Sequence, residues 1–172
     1  RSAKDLSHLR GLLDYAWRSG RSDRNVLDGF RIRDNTSRTE PRSLTLEEAR
    51  RLVEACPRDT SLERRSRIVV LLLYGCGLRP FELCNLNVDD VDVERQEIFV
   101  RKGKGGIQRS IPVPSAVWAE LLAYVIERGG KRGPLLRTLA KKKRISTRDV
   151  GAIVKEAATV AAIDGKITPR TL

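Results

Sequence analysis

Gly77-Leu78-Arg79-Pro80-Phe81-Glu82-Leu83 is the stretch that organises the rest of the chain. Proline suits the first turn of a helix, because the N–H it lacks would go unused there. Arg79 then falls at a helix boundary and Glu82 in the first turn, three residues on and so on the same helical side. Backbone donors at such a start attract anions. Upstream, residues 66–74 are so rich in Ile, Val and Leu that periodicity alone does not separate a buried helix from a buried strand, and helix is the expectation. Downstream, Val88–Val93 and Glu97–Arg101 read as short extended segments. Gln108–Val113 returns after Lys102-Gly103-Lys104-Gly105-Gly106, which makes a hairpin with Lys104 at its tip.

Helical signals dominate elsewhere. Thr45 and Glu48 have the spacing of a capping box before Ala49, Leu52, Val53 and Cys56. Ser115–Arg128 is an amphipathic helix closed by Gly129-Gly130. Another is expected over Ser146–Ala162, with Ser146 and Asp149 as its capping pair. Thr168-Pro169 reads as an N-cap and first helical residue. The expected class is therefore mainly α with a small antiparallel β-sheet, an α+β fold. Leu6, Leu9, Leu13, Ala16 and Trp17 recur at helical spacing and need a partner surface. Residues 18–42 have the composition of a connector. The expected organisation is a helical segment and linker over 1–42 and a principal domain over 43–172.

The 172 residues include 34 Lys+Arg against 22 Asp+Glu, a formal charge of +12. Such a surface favours polyanions. The longest apolar run, Ile68–Leu73, is far shorter than the roughly 18 residues a membrane span needs. Cys56, Cys76 and Cys84 sit in apolar helical patterns without metal-ligand spacing and read as reduced core thiols of a cytoplasmic protein. No metal or cofactor is expected. Trp17 and Trp118 belong to apolar stripes, and the low aromatic content, 5%, argues against a stacking-based single-strand or RNA binder.

Taken together, Gly77–Leu83, Gly103-Lys104-Gly105-x-x-x-Arg109-x-x-Pro112 and Ile167-Thr168-Pro169 resemble the tyrosine recombinases, or phage-type integrases, over about residues 43–172. The resemblance implies the catalytic-domain fold of that family, with residues 1–30 similar to the last helix of its DNA-clamping core-binding domain. It implies attack by a tyrosine hydroxyl on a DNA phosphodiester, a 3′-phosphotyrosyl intermediate, and no cofactor. Arg79 would hold the charge of the phosphorane, Lys104 (or its neighbour Lys102) would protonate the leaving 5′-oxygen, and Glu82 would orient Arg79. Lys102, Arg109, Thr147, Arg148 and Thr168 are the expected DNA contacts. Double-stranded DNA and other protomers on DNA are the implied partners, in a bacterial or archaeal cytoplasm at the nucleoid.

The departures matter as much. Arg170 stands where the family commonly has a histidine; it either replaces that histidine as a phosphate donor or is simply a polar residue in a first helical turn. His8 is the only histidine. Tyr15, Tyr74 and Tyr124 lie in apolar patterns, so the nucleophile is expected beyond Leu172, in a longer protein, and the chain alone is expected to be inactive. The alternative is a non-catalytic DNA-binding module that keeps the same fold.

Overall fold

The computed structural model describes residues 3–26, 42–101, 103, 106–129, 132–138 and 142–172, with residues 3–7 described by their backbone alone. The chain divides into two compact units, Arg1–Glu40 and Pro41–Leu172. In the first, α1 (Ala3–Arg18) ends at Gly20, whose φ of 68° is a left-handed value that glycine takes without steric cost. There the N–H of Arg21 reaches Ala16 O at 2.9 Å and the N–H of Gly20 reaches Trp17 O at 3.1 Å, the paired bonds of a Schellman stop. Trp17, expected in a core, is 50% exposed, and Leu12 and Tyr15 are exposed as well. A single helix has too little surface of its own to cover an indole.

The second unit carries α2 (Leu46–Glu54), α3 (Ser61–Cys76), α4 (Pro80–Asn85), a 3-10 turn Val88–Asp90, β1 (Val91–Asp92), β2 (Glu97–Val100), β3 (Arg109–Pro112), α5 (Ser115–Glu127) and α6 (Thr147–Val160). The three strands form one antiparallel sheet in the order β1-β2-β3. Among the described residues, no helix is long and apolar enough to cross a membrane. α3 is the central element, packed by α2, α4, α5 and α6. Its Ile68, Leu72 and Leu73 join Leu52, Leu83 and Leu121 in the core.

Local chemistry sets the helix starts. The Thr45 hydroxyl accepts from the Glu48 N–H at 3.2 Å, and the Glu48 carboxylate accepts from the Thr45 N–H at 3.0 Å. An equivalent box at Thr60 and Glu63 starts α3 at Ser61, well ahead of the apolar run 66–74. Ser146 and Asp149 start α6 in the same way. Gly77, at φ 59°, turns the chain out of α3, so that only two residues separate it from the next helix.

One further expectation needs correction. Residues 88–93 are not one strand: the buried Asp90 carboxylate accepts from the Asn87 N–H at 2.8 Å and from the Arg101 guanidinium, which folds Val88–Asp90 into a turn and leaves a two-residue strand. At Thr168-Pro169 the Thr168 hydroxyl accepts from the Arg170 N–H at 3.3 Å, the Thr168 N–H donates to Thr171 Oγ1 at 3.1 Å and the Thr171 N–H donates to Thr168 O at 2.8 Å, the bonds of an N-cap and a first turn. Arg144 is exposed ahead of α6 and is tied to the end of α4. It donates to Cys84 O at 2.8 Å, Leu86 O at 3.1 Å and Asn87 Oδ1 at 2.6 Å, serving carbonyls freed at the end of α4.

Candidate active site

Glu82 is the residue around which the site is assembled. It lies at the third position of α4, is 2% exposed, and its side chain turns back to the start of its own helix. Its Oε2 accepts from the Arg79 N–H at 3.0 Å and its Oε1 from Arg79 Nη1 at 3.0 Å. From across the hairpin, Arg109 Nη1 and Nη2 reach Oε1 and Oε2 at 2.9 and 2.8 Å, the parallel two-bond geometry of a guanidinium on a carboxylate. One buried carboxylate therefore holds two arginines, one of them 27 positions from it in sequence. The Arg109 bonds hold the Glu82 carboxyl down to a pKa of about 2, against a burial that would raise it, and the Arg79 N–H and guanidinium add to the effect. In return, Glu82 pushes the Arg109 guanidinium above its ordinary value.

The two arginines differ in what remains to them. The Arg79 side chain is 57% exposed, with only Nη1 engaged, whereas the Arg109 side chain is 34% exposed and spends both terminal nitrogens on Glu82. Both line an open cleft of about 500 Å³ together with Gly77 and Ile107. Arg109, expected as a DNA contact, is thus first a brace for Glu82. The strand period contains a clue to this: Val100 pairs with Arg109 and Ile98 with Ile111, so Arg109 shares the inward face of the sheet.

Lys102 and Lys104 lie outside the described residues. The turn around them is pinned by the Gly103 N–H to Ile107 O at 3.1 Å and the Gly106 N–H to Gly103 O at 3.1 Å. A Cβ at position 103 would stand 2.3 Å from Ile107 O and 3.2 Å from Arg109 Nη1, so only glycine fits there. The turn therefore rests against Arg109, and Ile107 leads from it into the cleft wall.

Thr147 and Arg148 are exposed in the first turn of α6, which packs on α3 and α4. Arg170 is exposed in the Thr168 turn, where its N–H reaches Thr168 Oγ1 at 3.3 Å, and it is not among the described residues lining the Arg79 cleft. Neither are the tyrosines. Tyr124 is buried, with burial raising its hydroxyl pKa, and Tyr74 projects at 39% exposure from α3. Cys56 and Cys84 are buried and Cys76 is half-buried; all are free, and burial lifts the Cys76 and Cys84 thiols to about 11, which keeps them protonated at neutral pH.

The phage integrase family model matches residues 42–172, and the chain belongs to that family. Tyrosine recombinase XerA of Pyrococcus furiosus is 41% identical over 138 residues, 78% of this chain and 46% of the relative. The chain spans about half the length of the curated relatives it matches. The crystal structure of XerA recombinase superposes with a TM-score of 0.67 at 29% identity, covering 76% of this chain and 47% of that one. The Tn1549 transposon integrase, solved in complex with circular intermediate DNA, gives a TM-score of 0.74 over 98% of this chain and 62% of that one; at 20% identity this is a likeness of fold.

Proposed function

We propose that these residues are part of a site-specific DNA recombinase that cleaves and rejoins duplex DNA through a 3′-phosphotyrosyl intermediate, acting with further protomers on paired sites. The observation that carries this reading is Arg79, clamped by a buried carboxylate yet open to a cleft. A phosphorane gains negative charge on its non-bridging oxygens, and a guanidinium already oriented meets that charge without reorganising. Glu82 and Arg109 are positioning residues for Arg79. Lys104, next in sequence to Gly103, is the general acid that protonates the leaving 5′-oxygen. Arg170 supplies a second phosphate donor, and Thr147, Arg148 and Thr168 contact the duplex backbone. Residues 3–26 form part of a second DNA-clamping domain. Relatives such as the tyrosine recombinase XerA of Pyrococcus furiosus favour this reading over a non-catalytic binder of the same fold.

The tyrosine nucleophile belongs to the longer recombinase rather than to these 172 residues, a reading supported by Tyr74 and Tyr124 not being among the described residues that line the cleft of their own unit. Incubating the chain with a nicked suicide duplex is expected to yield no covalent protein–DNA adduct, and an adduct would overturn this point. In the whole recombinase, Arg79→Ala is expected to lose roughly 10²–10³ in cleavage rate, as when one preorganised transition-state donor is removed. Lys104→Ala is expected to be rescued by a substrate whose 5′ leaving atom is sulfur, which departs without protonation. A wild-type rate in the first variant, or no rescue in the second, would remove that residue's assignment.

A further inference from the structure

At the end of α3 opposite Arg79, a second concavity of about 480 Å³ opens between the start of α3, the end of α5 and the residues Arg137, Thr138 and Lys142. The helix between them is 16 residues long, which at about 1.5 Å per residue sets this pocket roughly 24 Å from the Arg79 end. Arg65, Arg128, Arg137 and Lys142 all line it, with Ser61 and Tyr124. We propose that this pocket is a phosphate-binding site distinct from the Arg79 cleft.

Two of the four cations are tied to the fold. Arg65 Nη1 donates to Arg137 O at 3.1 Å, and Arg128 Nη2 to Pro134 O at 2.6 Å. These bonds to carbonyl oxygens help to fix the two cations in place. The other two, the Arg137 guanidinium and the Lys142 ammonium, make no hydrogen bond or ion pair among the described residues. One carboxylate stands on the pocket wall, Glu127, and it is held by Ser61 Oγ at 2.9 Å on the same wall and by Arg64 Nε at 2.7 Å. Like charges are therefore gathered in a partly desolvated hollow. Arg128 feels it: burial, then the neighbouring Arg137, pull its pKa below the ordinary guanidinium value. A phosphate group relieves that repulsion and offers acceptors to the forked donors of arginine.

The ligand chemistry is a phosphate oxygen cluster, and two sources supply it: a backbone phosphate of duplex DNA remote from the cleavage point, or a free oligophosphate. The DNA source rests on the function proposed above; the free source does not. The test measures thermal denaturation of the chain with tripolyphosphate, and fluorescence anisotropy with a mixed-sequence duplex across a salt series. It compares wild type with Arg137→Gln, Lys142→Gln and the control Lys155→Gln. Among the described residues Arg137 makes no side-chain bond, and Lys142 is exposed, so the variants are expected to keep the fold.

Tripolyphosphate is expected to raise the Tm of wild type saturably, by several degrees at about 100 times Kd. Arg137→Gln and Lys142→Gln are each expected to weaken that binding several-fold, and Lys155→Gln to leave it unchanged. A fall of about 0.9 per lost contact in the slope of log affinity against log salt assigns the pocket to DNA. An unchanged slope with the tripolyphosphate effect still lost assigns it to a free anion. Wild-type tripolyphosphate binding in both pocket variants, or an equal loss in the Lys155 control, overturns the site. A wild-type chain that ignores duplex DNA but binds tripolyphosphate through Arg137 and Lys142 would instead count against the recombinase reading.

Discussion

Replacing Glu82 by glutamine keeps the shape of the side chain and removes the charge that two guanidiniums share. The carboxyl titrates at about 2 in the fold, against an ordinary 4.5. A group whose pKa is depressed by folding contributes its stability in full above its unfolded value and loses it as the pH falls toward the folded value. For Glu82 that linkage amounts to about 3 kcal/mol at pH 7, about 2.5 kcal/mol at pH 4 and about 1.4 kcal/mol at pH 3. Glutamine keeps one acceptor oxygen, and Arg109 can still be hydrated at its exposed edge, so the loss should not reach the upper end for a broken buried pair. Urea unfolding followed by the fluorescence of the buried Trp118 reads this directly. Glu82→Gln is expected to cost about 3 kcal/mol at pH 7, the gap from wild type closing by about half at pH 3. A difference below about 1 kcal/mol at pH 7, or one that does not change with pH, would show that Glu82 is not the clamp the geometry makes it.

Other perturbations test neighbouring parts of the argument. Gly75→Ala would put a Cβ 2.7 Å from Val117 Cγ2 where α3 meets α5, and should cost about 1–3 kcal/mol of overpacking, less about 1 kcal/mol gained in helix propensity. Combined with Val117→Ala the clash disappears, so a double-mutant cycle without coupling would refute it. Arg144→Ala strips three acceptors at the end of α4 and should cost about 2–3 kcal/mol in thermal denaturation. A loss within about 0.5 kcal/mol would make Arg144 an ordinary surface residue. Gly103→Ala should open the hairpin turn, speeding amide exchange at Gly103 and Gly106 and releasing Arg109 so that the Glu82 pKa rises toward 4.5. Unaltered exchange would mean that the turn tolerates a side chain. In duplex binding, Arg148→Ala should lower the salt slope by about 0.9 and weaken all sequences alike. A change in sequence preference at constant slope would point instead to base contact.

Much of this molecule was legible because its signals are local. A threonine and a glutamate three apart bond within one turn whatever surrounds them, which is why the start at Thr45 could be read from the sequence. The start at Thr60 was just as readable and was hidden only by the louder apolar run behind it. Gly77 and Pro80 impose backbone geometry by themselves, so the place of Arg79 at a helix boundary followed from residue types. The failures share one cause. The environments of Asp90 and Trp17 are set by partners or exposure that no short window of sequence contains.

The sequence by itself determined the helical and hairpin elements, the basic surface and the position of Arg79 with Glu82 one helical turn ahead of it. Only the tertiary structure decided that Arg109, 27 residues further on, closes over the same carboxylate, because a strand must first be placed in register before its inward side chains have anything to meet. The gathering of Arg65, Arg128, Arg137 and Lys142 at the far end of α3 is of the same kind. Charges scattered over 78 positions of sequence become one electrostatic feature only when packing removes the water between them.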